Sequence, residues 1–100
     1  MAVSAFVVTR ERGSTWNHAL GMREQEQWAE HAAFIDGLAD DRFVVLGGPV
    51  GNGSHVLLIV KAESEEAIRT RLDGDPWTPM GLLTTKAIEP WEILLGEIRC

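Results

Sequence analysis

The sequence predicts a ferredoxin-like α+β fold: strand, helix, strand, strand, helix, strand, with an antiparallel sheet, both helices on one face and an extra C-terminal strand. Three observations predict it. The stretch Glu26 to Asp40 has the apolar period of a one-sided helix. A second stretch, opening at Ser64, carries the cap and charge pattern of a shorter helix. Short β-branched runs flank both, two of them joined by a glycine-rich segment that reads as a hairpin. A chain of 100 residues holds one such domain, spanning residues 1–100.

Val3-Ser4-Ala5-Phe6-Val7-Val8-Thr9 is the predicted first strand, ended by the charged Arg10-Glu11-Arg12-Gly13. Gly13 to Met22 is polar and irregular, includes Trp16, Asn17 and His18, and reads as a loop that covers a site or lies in solvent. The main helix begins between Met22 and Gln25 and ends near Ala39, where Asp40-Asp41-Arg42 releases the chain. With a turn of about 100° per residue, Trp28, Ala32, Ile35 and Ala39 share one face, Phe34 and Leu38 flank it, and His31 falls between Ile35 and Leu38. Gly37 inside this helix costs about 1 kcal/mol relative to alanine, which predicts a close backbone approach there.

Phe43-Val44-Val45-Leu46 is an apolar strand, stopped by the glycine run Gly47 to Gly53, and its partner runs from Ser54 or His55 to Lys61. Ser64 is the N-cap of the second helix, Glu65 and Glu66 suit its positive end, Ala67, Ile68 and Leu72 form its buried side, and Asp73-Gly74-Asp75-Pro76 ends it. Leu82 to Ile88 is the next strand; Pro90 marks a bend or sheet edge before the additional strand in Trp91-Glu92-Ile93-Leu94-Leu95. No element remains to cover the second face of the sheet. Together with 45% hydrophobic residues and four Trp, that predicts burial against a second copy, a homodimer or higher oligomer.

Composition narrows the function. A net charge of −6 and nine scattered basic residues disfavour nucleic acid, which needs clustered Lys and Arg. The lone Cys100 permits neither an intrachain disulfide nor a thiolate metal cage. No basic n-region opens the chain and no apolar run has bilayer length, so a soluble cytoplasmic protein with no membrane partner is expected. There is no tyrosine for phenolic acid chemistry.

His31 is the first candidate for chemistry. On residue type alone, an imidazole in an apolar stripe is more often a packed side chain than a catalyst. The functional alternative is a general base or acid, which needs a carboxylate to fix its tautomer and a pocket beside it. Asp75 is the carboxylate of choice: an ordinary turn residue by itself, but set at a helix end with Trp77 and Met80 just beyond to wall an apolar cavity. Asp36, one turn along from His31, points to another side and into solvent. The glycine run lacks the Lys and following helix of a phosphate loop, leaving Gly48 and Pro49 as lining for a cavity mouth. His18, His31 and His55 lack metal-site spacing, so no metal is expected, and neither a G-x-S-x-G turn nor an activated thiol offers a nucleophile.

These residues resemble the YCII-related family of small proteins within the dimeric α+β barrel superfamily. The resemblance spans nearly the whole chain. It rests on Arg23-Glu24-Gln25 leading to Trp28-Ala29-Glu30-His31, on Val44-Val45-Leu46-Gly47-Gly48-Pro49, on Ala62-Glu63-Ser64-Glu65-Glu66-Ala67, on Asp75-Pro76-Trp77 and on Ile88-Glu89-Pro90-Trp91. It departs from the family at Asp40-Asp41-Arg42, where relatives often place a glycine. The resemblance implies a protomer that dimerises sheet to sheet, a cavity between sheet and helices, and a histidine-aspartate dyad that maps onto His31 and Asp75. Relatives include a dehydrochlorinase of chlorinated hydroxyhydroquinone, and the superfamily holds muconolactone isomerases and cofactor-free monooxygenases.

The expectation is therefore a cofactor-free enzyme in which His31, oriented by Asp75, moves a proton in an elimination or isomerisation of a small cyclic or aromatic organic acid. Trp28, Gly48, Pro49, Trp77 and Met80 would shape the pocket, and Arg23 would meet a substrate carboxylate. The rival expectation is a dimeric module without catalysis, a small-ligand sensor or an accessory subunit, with His31 merely packed. Haem or flavin chemistry has no ligand-spacing support.

Overall fold

Alternate residues of the first strand, β1 (Ser4–Arg12), are buried: Phe6, Val8 and Arg10 point to one side and are nearly sealed from solvent. The computed structural model describes residues 3–97, so Cys100 lies outside the described residues. The remaining strands are β2 (Val44–Val50), β3 (His55–Ala62) and β4 (Leu83–Pro90), in the spatial order β2-β3-β1-β4 with every neighbouring pair antiparallel. Helices α1 (Trp28–Asp40) and α2 (Glu65–Leu72) both lie on the Phe6–Val8 face. Leu38 of α1 and Ile68 and Leu72 of α2 meet Phe6, Val8, Val44, Leu58, Val60 and Ile88 of the sheet in one core. This is the ferredoxin-like arrangement.

The boundaries differ from the sequence reading where local interactions override the pattern. β1 continues through Arg10 and Glu11, paired on both sides, to Arg12, paired with Leu83 of β4, so the charged run is strand rather than its end. β2 runs on through Gly47, Gly48 and Pro49; Gly47 lies so flat on Leu58 that a Cβ there would come within 2.7 Å of its side chain. The turn itself is confined to Gly51–Ser54, with Gly51 and Gly53 at positive φ. α1 starts at Trp28, later than expected, because a 3-10 turn at Met22–Glu24 comes first and Gln27 is left-handed, at φ 57°. The close approach expected at Gly37 is absent: a Cβ there meets nothing within 4 Å.

The additional C-terminal strand does not form within the described residues. The N–H of Trp91 donates to the Ala5 carbonyl at 2.9 Å, but β1 begins at Ser4, so its partner ladder has run out. The chain then leaves the sheet with Leu94 and Leu95 80% and 91% exposed. A short helix unforeseen in the sequence, α3 (Trp77–Met80), links α2 to β4. Ser64 caps α2 as expected, its hydroxyl accepting from the Ala67 N–H at 3.1 Å. No helix among the described residues is long and apolar enough to cross a membrane.

Candidate active site

The site sits where three elements converge: the C-terminal half of β1, the first turn of α1 and the α2–α3 corner. Asp75 stands at that corner and is fully buried. Proline at 76 cannot continue α2, and the Asp75 carboxylate accepts from the Trp77 N–H at 2.9 Å, which fixes the turn into α3. Arg10, 1% exposed, reaches it from the sheet, Nη1 donating to Oδ2 at 2.8 Å. The other Arg10 nitrogen, Nη2, donates to the Thr78 hydroxyl at 2.7 Å and to the Leu83 carbonyl at 3.4 Å.

His31 completes the group. Its Nδ1 lies 2.9 Å from both Asp75 oxygens. A carboxylate accepts and does not donate, so Nδ1 carries the hydrogen, and in the neutral imidazole the lone pair is on Nε2. Burial by itself pushes the Asp75 carboxyl up, but the hydrogen bond from His31, the Trp77 N–H, the His31 charge and the Arg10 bond together outweigh it and hold it below the ordinary carboxylate range. The carboxylate therefore stays ionised, with Arg10 as its buried counter-charge.

Aromatic rings fix the imidazole from the side. The Trp77 indole, itself fully buried, stacks on His31 with centroids 3.8 Å apart and planes 6° from parallel. Trp28 is tilted against both, at 5.7 Å from His31 and 5.8 Å from Trp77. Trp16 meets Trp77 edge-on at 5.8 Å. Trp77 Nε1 donates to the Glu26 carbonyl at 2.7 Å, tying this cluster to the entry of α1. The Gly13–Met22 loop delivers Trp16 and is itself built around Gln25, whose amide donates to the Asn17 and Leu20 carbonyls at 2.8 and 3.2 Å.

A cavity of about 560 Å³ opens beside His31, a size suited to a small organic ligand. The structure places His31, Trp28, Trp77, Gly48 and Pro49 on its wall, with Asp75 sealed behind the imidazole. Arg23 and Met80 are not on that wall: Arg23 is exposed on the 3-10 turn, and Met80 packs against the Trp16–Trp77 cluster. Each sits on a short turn whose direction periodicity could not give. Asp36, exposed on α1, touches the cavity edge. Sequence reasoning missed Arg10, Arg12 and Trp16. The signal for the arginines was present, because they continue the inward face of Phe6 and Val8 at a spacing of two.

The chain resembles a solved dehydrochlorinase. That structure is 5-chloro-2-hydroxyhydroquinone dehydrochlorinase (TftG) from Burkholderia phenoliruptrix AC1100 in complex with 2,5-dihydroxybenzoquinone. It is 26% identical, with a TM-score of 0.65 over 88% of this chain and 93% of the dehydrochlorinase. The likeness thus covers most of the chain and supports an α+β barrel family. No family model matches the chain, and no curated protein matches it.

Proposed function

We propose that the protein is an enzyme of the YCII-related family, working as a cytoplasmic homodimer, in which His31 and Asp75 form a proton-transfer dyad acting on a small aromatic or cyclic organic acid without a cofactor. The observation that carries the reading is the double contact of His31 Nδ1 with an ionised, Arg10-clamped Asp75 at the edge of a ligand-sized cavity. Asp75 holds the tautomer that leaves Nε2 basic, and its negative charge stabilises the imidazolium formed when Nε2 takes a proton. In an elimination, Nε2 removes a proton next to the carbon bearing the leaving group. The C–H pair becomes the new π bond, chloride departs with the C–Cl pair, and the net loss is HCl. The similar dehydrochlorinase, which binds a dihydroxybenzoquinone, supports this reaction class for the same fold.

The dimer is supported by apolar surface that one chain leaves uncovered. Register puts Val7, Leu57 and Leu46 on the sheet face turned away from the helices, Val7 and Leu57 half-buried, and Leu46, Trp91, Leu94 and Leu95 remain exposed.

Chloride release from 5-chloro-2-hydroxyhydroquinone by the wild type, His31→Gln and Asp75→Asn tests the reading. Both variants should fall by at least about a hundredfold, the usual weight of general acid–base catalysis. Release that is unaltered in both folded variants returns His31 to a packing role.

A further inference from the structure

Arg12 is the cation of the cavity wall that the dyad does not use. It continues the inward face of β1 two residues beyond Arg10, and the two cations differ sharply in what surrounds them. Arg10 is matched by Asp75, Thr78 and Leu83. The Arg12 guanidinium instead lies over the Trp16 ring, 4.8 Å from its centroid, with no acidic partner among the described residues. The Nε of each arginine is shielded from solvent with no hydrogen-bond partner, so what separates the two is the forked end: Arg10 spends its terminal nitrogens on Asp75, Thr78 and Leu83, and Arg12 does not. Guanidinium presents five N–H donors in a rigid planar fork and cannot lose its charge. The cation–π contact with Trp16 holds the guanidinium in place without occupying any of its donors.

We propose that Arg12 is the anion-binding residue of this cavity, so that the ligand is a planar ring bearing an oxyanion, either an ionised ring hydroxyl or a carboxylate. The anion sits on the Arg12 fork while the ring lies toward His31 among Trp16, Trp28 and Trp77. Asp36, at the cavity edge, is the acidic group the anion must avoid, and it is exposed and solvated. Arg12 takes the role expected of Arg23 from the sequence. The proposal rests on reading the cavity as the ligand site and adds the charge class that the site selects.

Calorimetric titration decides it, with two anionic probes and their neutral partners: 2,5-dihydroxybenzoquinone against 2,5-dimethoxybenzoquinone, and 2,5-dihydroxybenzoate against its methyl ester. The wild type should bind at least one anion, and Arg12→Gln should weaken that binding about tenfold or more while leaving the neutral partner unchanged. Arg12→Lys, which keeps the charge and loses the fork, should fall between. Which anion responds identifies the hydroxyl or the carboxylate. The proposal is overturned if the wild type binds neither anion, if Arg12→Gln binds both as the wild type does, or if anion and neutral partner weaken alike. His31→Gln separates this from the dyad: Arg12-dependent binding without His31-dependent turnover defeats the dyad alone, and His31-dependent turnover with Arg12-independent binding defeats this proposal alone.

Discussion

The imidazole of His31 lies face to face on the indole of Trp77, with planes 6° apart, while the N–H of that same tryptophan residue bonds the carboxylate that holds the imidazole edge. One residue therefore fixes the ring's plane and its partner together. Rotation of His31 would have to break both the stack and the Asp75 contact, so the dyad is held in place before any ligand arrives.

Removing the Asp75 charge should leave Arg10 as an uncompensated buried cation. Asp75→Asn keeps the shape and loses the ion pair, so unfolding in urea should show a loss of about 3–5 kcal/mol. A change under 1 kcal/mol would mean that Arg10 finds water in place of its partner.

The same carboxyl makes acid sensitivity predictable in sign. Asp75 is held below the ordinary carboxylate range when folded. Its contribution is complete above the unfolded carboxylate value and is lost as pH falls through the lower folded value. Urea midpoints measured downward from pH 6 should drop more steeply in the wild type than in Asp75→Asn; parallel curves would contradict the assignment.

Gly37 faces open space in the middle of α1, so nothing opposes a methyl group there. Gly37→Ala should stabilise the fold by about 0.5–1 kcal/mol, through helix propensity and a less flexible unfolded chain. A thermal melt checks this.

Gly13 is the opposite case. Its N–H donates to the Leu82 carbonyl at 2.8 Å, and a Cβ on it would collide with the Gly81 carbonyl, a backbone atom that cannot step aside. Gly13→Ala should push the Trp16 loop off the Trp77 cluster, read as a red shift in tryptophan fluorescence and a lower melting temperature.

The fold was legible in the sequence because its signals are periodic and local: the apolar face of α1, the Ser64 cap and the β-branched runs each carry their own direction. His31 was legible for the same reason, lying on a periodic stripe. Trp28, Trp77, Gly48 and Pro49 line the cavity wall and Arg23 and Met80 lie off it, since neither of those two has a repeating neighbour to orient it. Arg10 and Arg12 were missed because charged residues after an apolar run look like the end of a strand. Burial of Arg10 depends on Asp75, 65 residues away, a pairing that no local pattern contains. The strand expected at Trp91–Leu95 failed for a topological reason, the exhaustion of β1 as a partner, which appears only once register is known.

The most direct measurement is the side-chain nitrogen NMR of His31 with and without 2,5-dihydroxybenzoquinone. The dyad predicts a protonated Nδ1 and a lone pair on Nε2 in the free protein, with the Nε2 resonance moving as the ligand saturates the cavity. A hydrogen on Nε2 in place of Nδ1, or an Nε2 signal indifferent to saturating ligand, would contradict it.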